Sequence, residues 1–480
     1  MARVPFVEAD KAYFNRRLLR RHARVIHLWA LGVGAVISGD FFGWNFGLTE
    51  GGFGGMLIAL VVTTGCFAGL CFSIAEMSPA LPHTGGAYSF ARTAMGPWGG
   101  YITGLAENME YILTPAVIVV GIGGYLSAIF GTPAVWAPIW WLVCYIVFVA
   151  FNVAGVELSF RISLAITFCA LAILIVFFIA AAPHFELHKW ALQEGGWLPH
   201  GGTGILRALP FALWVYLGIE QLPLAAEEAE NPVRDMPKGL LLGLATLIVF
   251  AFLTVILNSG IPPGTTEVGR SDDPLFLGFR SVFGSGATTR SLALIGCAGL
   301  LASFHAILFA YGRQIYSLSR AGYFPTALSV THKARRTPVR ALIAGSVLGY
   351  LAALTIYVAG QKSSVGAALL NMAVFGAVIA YVFQMVSFIR LRILFPQISR
   401  PYRSPLGIGG AVVAIVIAAT TLLTLFLNHD YRPGVIGATI WFLLGIGYFA
   451  LHARKRLVLA PEEKFAEEAR RAEWVPTATP

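Results

Sequence analysis

The sequence predicts an all-α polytopic membrane protein with about twelve transmembrane helices. The first observation behind this fold class is composition: of 480 residues, 57% are hydrophobic and 12% are charged, and the mean hydropathy is +0.73. A soluble chain carries roughly 25% charged and about 45–50% apolar residues. The composition therefore excludes an ordinary soluble enzyme, a disordered chain and a disulfide-rich secreted protein.

The second observation is a series of apolar runs that match or approach the length of a bilayer-spanning helix, which is about 20 residues. Each run is interpreted as one helix, and an even number of helices places both termini on the same side of the membrane. In order, the runs cover residues 25–49, 54–78, 98–128, 134–154, 159–182, 205–227, 237–258, 288–318, 340–359, 363–392, 407–427 and 433–452.

The third observation is the distribution of basic residues, which predicts the orientation. If both termini are cytoplasmic, 27 of the 34 lysines and arginines fall in cytoplasmic segments. This bias agrees with the positive-inside rule for membrane proteins. It also accounts for the net charge of +10, so we expect no nucleic-acid partner.

The sequence contains no pattern typical of a metal centre, a cofactor site or an enzyme. Its five cysteines lie in apolar runs, without a CxxC motif or a cysteine–histidine cluster, so neither a zinc site nor a disulfide framework is indicated. A GxxxxGK[ST] phosphate loop is also missing from the sequence, and this loop is how many ATP-driven proteins hold nucleotide. We expect no cofactor and no enzymatic activity.

Runs 1 and 6 are interrupted by helix-weakening residues and carry carboxylates at mid-depth. Run 1 holds five glycines around Asp40, and run 6 holds Pro210, Gly218 and Pro223 around Glu220. A carboxylate at the bilayer centre costs about 2.5–3.5 kcal/mol on insertion scales, and such residues usually mark function. Interrupted segments at matching places of two halves are a pointer to the midplane site of a transporter.

Three further segments carry a family resemblance. They read PHTGGAYSF at 82–90, AEEAENPVRDMP at 226–237 and RQIYSLSRAGYFP at 313–325. In order and spacing they resemble three signatures of the amino acid–polyamine–organocation (APC) permease superfamily, over about residues 25 to 450. The segments SGDFFGWNFGL at 38–48 and TGLAENMEYILTPAVIVVGIGGYL at 103–126 look like the ethanolamine permease group within it.

The resemblance implies a secondary transporter that works by alternating access, with a five-plus-five inverted repeat, broken helices 1 and 6, and two additional helices. It also implies a bacterial inner membrane as the location. The expected organisation is a basic cytoplasmic arm at 1–24, a first five-helix repeat at 25–182, a second at 205–392, helices 11 and 12 at 407–452, and a cytoplasmic tail at 453–480.

The substrate site implied by the resemblance lies in the break of helix 1. Amino acid carriers of the superfamily have a triplet of small residues there, whose free amides hold the substrate carboxylate, and the matching residues are Ser38, Gly39 and Asp40. A carboxylate at Asp40 would repel a substrate carboxylate by about 4 kcal/mol at 4 Å and an effective dielectric of 20. It would attract an ammonium, which favours a small amine such as ethanolamine.

Other candidates for the substrate site come from helices 1, 3 and 6. Glu110 shares a helix face with Glu107 three residues earlier, and two roles are open for it, a second amine ligand or the protonatable group of a symporter. Aromatic rings can also bind an ammonium through their faces. The aromatic candidates are Trp44, Phe211, Trp214 and Tyr216.

Gating and coupling are assigned to three residues. Glu220 occupies a position where the superfamily often has an acid and is interpreted as a gate or structural residue. Ser303 has an oxygen suited to sodium, and His305 is of a type that titrates near neutral pH. Each also has a purely structural interpretation in a helix interface, and the coupling ion, a proton or sodium, stays open.

Two functional hypotheses follow from these residues. In the first, the protein imports ethanolamine or a related small cationic amine, with the ammonium held by Asp40. In the second, it is a proton- or sodium-coupled symporter of small zwitterionic amino acids, with Asp40 as a proton site. The expected partners are the small-molecule substrate, the coupling ion and membrane lipid.

Overall fold

The computed structural model describes residues 6–7, 11–193, 195–271, 273–284, 287–359, 365–427 and 431–459. Parts of the predicted arm (1–5 and 8–10) and most of the predicted tail (460–480) lie outside the described residues. Within the described chain, all twelve predicted runs coincide with helices. The prediction of an all-α polytopic membrane protein is confirmed.

We number the membrane helices by run. Helix α1 comprises Val25–Val36 and Ser38–Phe41 and continues into the first turns of the helical segment Phe46–Ala80, whose remainder is α2. The others are α3 Pro97–Phe130, α4 Ala137–Ala154, α5 Val156–Ala181, α6 Gly201–Trp214 with the 3-10 segment Ile219–Glu228, α7 Pro232–Ser259, α8 Ala287–Arg320, α9 Val339–Ala359, α10 Val365–Leu394, α11 Gly407–Leu427 and α12 Arg432–Leu451.

Short elements connect the membrane helices. They are the helices Lys11–Asn15, Gly86–Met95, Thr265–Arg270 and Pro274–Phe283, the 3-10 turns Ala134–Trp136, Ala182–His184, Thr326–Ser329 and Ala453–Lys455, and the π-helical turn Leu187–Ala191. Two-residue strands, β1 Phe6–Val7 and β2 Leu457–Val458, pair in parallel and join the two ends of the chain.

Ten helical segments of the described chain are long and apolar enough to cross a membrane. Helix α1 is shorter because it is interrupted. Helix α8 has 34 residues but carries buried polar side chains, among them Ser303, His305 and Arg313. It packs against α1, α3, α5, α9 and the 3-10 part of α6, so its polar residues face the interior of the bundle.

The three signature segments meet at the end of the bundle that carries residues 11–24 and β2, which we call the terminal face. Glu228 of the second segment accepts two hydrogen bonds from Arg313 of the third, at 3.1 Å and 2.8 Å, and both side chains are fully buried. Glu227 pairs with Arg320 at 2.5 Å, and Arg320 also contacts His83 of the first segment at 2.9 Å. Ion pairs between distant segments therefore close the terminal face.

The N-terminal arm adds to this closure. Arg17 is buried and donates to the Ser329 hydroxyl at 2.7 Å and the Thr326 carbonyl at 3.2 Å, in the loop after α8. The Tyr316 hydroxyl of α8 donates to the Arg17 carbonyl in return. Residues 11–24 are thus fixed across the terminal face by hydrogen bonds to α8 and its loop.

Replacing Glu228 by glutamine should lower the free energy of unfolding by about 3–5 kcal/mol, because the change leaves the buried Arg313 charge without its partner. The matched control is Glu157→Gln, since Glu157 pairs with Arg161 at the surface and exposed pairs contribute about 0.2–1 kcal/mol. Thermal unfolding of the purified protein in detergent measures both changes. Equal shifts in melting temperature would show that the buried pair does not stabilise the fold.

Candidate functional site

The breaks in α1 and α6 lie directly against each other. A Cβ atom added to Gly39 would lie 3.0 Å from Val215 Cα and 3.1 Å from the Trp214 carbonyl oxygen. Gly43 has a φ of +91°, and a Cβ atom there would lie 2.5 Å from Trp214 Nε1. Glycine at both positions therefore allows the two interrupted backbones to approach more closely than any residue with a side chain would permit.

Side chains from neighbouring helices satisfy the backbone groups that the break in α1 exposes. The Ser303 hydroxyl of α8 accepts from the Ser38 amide at 2.9 Å and donates to the Gly34 carbonyl at 2.8 Å, so it bridges the two sides of the break. Trp214 Nε1 donates to the Phe42 carbonyl at 3.0 Å. Polar backbone groups of the break are therefore paired within the protein, as buried backbone groups generally are.

Asp40 stands out within this break because no described basic residue forms an ion pair with its carboxylate. The residue is 1% exposed, so the carboxylate is removed from solvent. The Thr254 hydroxyl of α7 lies beside the carboxylate as a hydrogen-bond donor, and Tyr216 of α6 is nearby. A buried carboxylate without a counter-charge is complementary to a cation or a proton.

The four aromatic candidates occupy different places. Trp214 and Tyr216 lie at the break of α6, where Trp214 bonds to Phe42 in the α1 break and the Tyr216 hydroxyl bonds to Thr64 Oγ1 of α2 at 2.8 Å. Phe211 lies one turn of α6 away from the break, against Phe46 and Tyr431. Trp44 is fully buried, with its indole nitrogen unpartnered. Of the four, Tyr216 is therefore an electrostatic neighbour of Asp40, and Trp214 contacts the same break of α1.

Glu110 lies against Glu220 rather than at the α1 break. The two carboxyl groups are neighbours in the interior of the bundle, and Tyr381 of α10 lies beside Glu220. Glu220 Oε2 also accepts from the Gly218 amide at 3.0 Å, whereas Glu110 Oε2 and Glu220 Oε1 have no donor. Glu107 lies next to this pair and accepts from Gln314 Nε2 at 2.6 Å. Three buried carboxyl groups thus form a second cluster, distinct from Asp40.

The structure places Ser303 and His305 in helix interfaces. Ser303 forms the two hydrogen bonds across the α1 break described above. His305 Nε2 lies 3.0 Å from the Ser159 carbonyl, so this nitrogen carries the proton and donates, and Nδ1 accepts from Asn152 Nδ2 at 3.2 Å. Both ring nitrogens of a neutral imidazole are satisfied in this arrangement, which favours a structural role for His305.

Comparison with known protein families agrees with this architecture. The family model described as amino acid permease matches residues 27–454, which includes every helix from α1 to α12. The chain belongs to the amino acid permease family. It is therefore a transporter and not an enzyme, and the predicted membership of the APC superfamily is confirmed.

Several transporters resemble this permease over most of their length. An uncharacterized transporter of Rhizobium meliloti is 29% identical over 89% of this chain and 92% of its own length. The branched-chain amino acid permease BcaP of Bacillus subtilis is 24% identical over 92% of this chain and 95% of its own. A methylthioribose transporter of Bacillus subtilis is 24% identical over 94% of this chain and 98% of its own.

Sequence reasoning missed three groups that shape the site of the permease. Asn45 is fully buried and ties the α1 break to the loop before α8, through its amide to the Ser271 carbonyl at 2.8 Å. Thr254 lies beside Asp40, and Tyr381 of α10 lies beside Glu220. An asparagine next to a predicted helix break can be recognised from the sequence as a candidate site residue. A threonine or tyrosine within an apolar run cannot.

Replacing Gly39 by alanine should destabilise the permease by about 1–3 kcal/mol, the usual range for overpacking a buried contact. The added methyl group would press on backbone atoms of α6, which cannot rotate away as a side chain can. Gly121→Ala is the matched control in α3, because a Cβ atom there meets nothing within 4 Å. Thermal unfolding in detergent distinguishes the two variants. A Gly39→Ala protein as stable as the control would show that the breaks are not in tight contact.

Proposed function

We propose that this permease is a secondary active transporter that imports ethanolamine or a related small cationic amine by alternating access. Asp40 holds the ammonium group, and Trp214 and Tyr216 border it. The observation that carries the proposal is the buried Asp40 carboxylate, which no basic residue of the described structure neutralises. An ammonium donates up to three hydrogen bonds and neutralises the charge.

The backbone of the break supports an amine over a zwitterion. In the superfamily, free amides of this break hold the substrate carboxylate, but here the Ser38 amide is already bonded to Ser303 and the Asp40 amide to the Ile37 carbonyl. A substrate carboxylate would therefore compete with existing hydrogen bonds and meet the charge of Asp40. Membership of the family does not require an amino acid substrate, since one relative is a methylthioribose transporter.

Thr254 supplies the hydroxyl recognition that an amino alcohol needs. Its Oγ1 is buried and adjacent to Asp40, and its lone pairs are free to accept, while ethanolamine carries its hydroxyl two carbons from the ammonium. A site that hydrogen-bonds a substrate hydroxyl discriminates against analogues that lack it, because its own polar group is then left unpaired. We assign Thr254 to the hydroxyl group of the substrate.

The remaining parts of the proposal concern topology. The bias of lysine and arginine supports a cytoplasmic terminal face, and the resemblance of the signature segments supports a bacterial inner membrane as the location. The two interrupted helices, five apart in order, support two five-helix halves at 25–182 and 205–392, with α11 and α12 as additions. Substrate would then reach Asp40 from the opposite face while the ion pairs of Glu227 and Glu228 close the terminal face.

The zwitterion alternative is supported by the amino acid permease family itself and by the similarity to a branched-chain amino acid permease and to D-serine/D-alanine/glycine transporters. Uptake of labelled ethanolamine into proteoliposomes, with unlabelled alanine as competitor, separates the two hypotheses. Uptake that alanine does not inhibit supports the amine carrier. Inhibition by alanine, or no ethanolamine uptake, would favour the amino acid symporter with Asp40 as its proton site.

Replacing Asp40 by asparagine should weaken ethanolamine binding by about 2–5 kcal/mol, the usual effect of removing one partner of a buried charge pair. The control is Glu267→Gln, because Glu267 is an exposed carboxylate in the short connecting helix Thr265–Arg270. Equilibrium binding of labelled ethanolamine to purified protein is the measurement. Intact binding together with lost gradient-driven uptake would contradict the amine proposal and support the alternative.

Replacing Thr254 by valine should reduce the preference for ethanolamine over ethylamine about tenfold, because one hydrogen bond contributes about 0.5–1.5 kcal/mol. Valine retains the shape of threonine and removes only the hydroxyl. Competition of each amine against labelled ethanolamine measures the preference, and Thr439→Val in α12 is the control, since Thr439 is exposed and bonds to the Val435 carbonyl of its own helix. An unchanged preference would assign the substrate hydroxyl to another group.

A further inference from the structure

A cavity of about 270 Å³ lies on the terminal face, where the N-terminal arm, the junction of α4 and α5, and the loop after α8 meet. Its wall carries three arginines, Arg20 from the arm, Arg161 from α5 and Arg335 from the loop, together with one acid, Glu157. The other residues of the wall, at 154–156, 158 and 334, are uncharged. The wall therefore has an excess of positive charge, and we call this site the arginine cavity.

Two of the three arginines have no counter-charge in the described part of the chain. No described acid forms an ion pair with Arg20 or Arg335, whereas Arg161 Nη2 donates to Glu157 Oε1 at 2.6 Å. A guanidinium has five N–H groups, so the contact with Glu157 leaves donors of Arg161 for a ligand. Arginine binds phosphate through charge-assisted and often bidentate hydrogen bonds. The arginine cavity is thus complementary to an anionic phosphate group.

Hydrogen bonds between its walls hold the arginine cavity in shape. The loop after α8 is fixed to the arm, since the Arg336 guanidinium donates to the Asn15 carbonyl at 3.2 Å. The same loop is fixed to the end of α4, since the Thr337 hydroxyl donates to the Val153 carbonyl at 3.2 Å. Arg335 therefore extends from a loop that is tied to both of the other walls. A site organised in this way loses less conformational entropy when it binds a ligand.

Arg161 also begins an exposed apolar face of α5. Beyond it, exposed side chains recur at intervals of three or four residues, the spacing of one helix face. They are Ala165, Phe168, Ala172, Ile175 and Ile179. Since α5 is long and apolar enough to cross a membrane, this face contacts lipid acyl chains. A phospholipid that lies along it brings its phosphate to Arg161.

We propose that the arginine cavity binds the phosphate of an anionic phospholipid, whose acyl chains lie along the exposed face of α5. The proposal concerns a second site and does not depend on which substrate the permease transports. Free phosphate has the same charge, but only a lipid also uses the apolar face that continues from Arg161. Basic pockets between membrane helices are a known form of site for anionic head groups. A choline head group fits less well, because its ammonium would meet the same arginines.

A bound phosphate would join three segments that are distant in sequence, so it should stabilise the folded protein. Native mass spectrometry of the permease in detergent measures bound lipid, and thermal unfolding measures stabilisation. The probes are dioleoyl phosphatidylglycerol, dioleoyl phosphatidylcholine, and sodium phosphate compared with sodium chloride at equal ionic strength. Phosphatidylglycerol should bind more tightly and raise the melting temperature more than the other two. Equal binding of the two lipids, or equal stabilisation by sodium phosphate, would overturn the proposal.

Substitutions in the wall test whether the arginine cavity is the site. Arg20→Gln and Arg335→Gln should each weaken phosphatidylglycerol binding about fivefold, the usual contribution of one basic residue near an anionic head group. Glu157→Gln should strengthen binding, because it removes the acid of the wall and releases Arg161. The matched control is Arg234→Gln, since Arg234 is an exposed arginine of the terminal face at the start of α7, outside the cavity.

These variants should fold, because none of the substituted side chains is buried. Melting temperatures measured without added lipid check this expectation. Unchanged phosphatidylglycerol binding in both the Arg20 and the Arg335 variant would overturn the proposal. An equal loss of binding in the Arg234 control would overturn it as well, since the lipid would then respond to the overall charge of the terminal face and not to the cavity.

Discussion

The contact between the two interrupted helices is the constraint on which the rest of the structure depends. Where α1 and α6 lose their helical hydrogen bonds, each exposes amides and carbonyls in the middle of an apolar bundle, and such groups must be satisfied inside the protein. Gly39 lets the two breaks touch, Trp214 of one break donates to Phe42 of the other, and Ser303 of α8 bridges the remaining gap. Asp40 is the group that this arrangement leaves without a counter-charge.

The 3-10 segment Ile219–Glu228 connects this centre to the terminal face. Near its start, Glu220 meets Glu110, and at its end, Glu228 forms the buried ion pair with Arg313. A 3-10 helix has poorer hydrogen-bond geometry than an α-helix and is often found where a chain moves. Because one short segment carries both contacts, a change at the centre is transmitted along the backbone to the ion pairs that close the terminal face. This is the physical basis we propose for alternating access.

The sequence predicted the fold well because the signals for it are local. Apolar length predicts each helix, and glycine and proline around a mid-depth carboxylate predict the breaks at Asp40 and Glu220. The partners of these residues depend on long-range packing. Glu110 was a candidate for the amine site, but the structure places it against Glu220. Thr254 gave no signal at all, because a threonine in an apolar run is common and only the packing of α7 against α1 places it beside Asp40.

The balance of charge in the interior favours an amine over a zwitterion under the proposed function. Asp40 and the Glu110–Glu220 pair are all buried, and the described arginines of the interior are engaged elsewhere, as Arg313 is with Glu228. A zwitterion bound at Asp40 would bring one positive and one negative charge and leave this acidic interior as negative as before. An amine brings only the positive charge that Asp40 lacks. Under the proposed function, the substrate therefore neutralises a charge that the fold has buried without a counter-charge, and its release returns the interior to its acidic state.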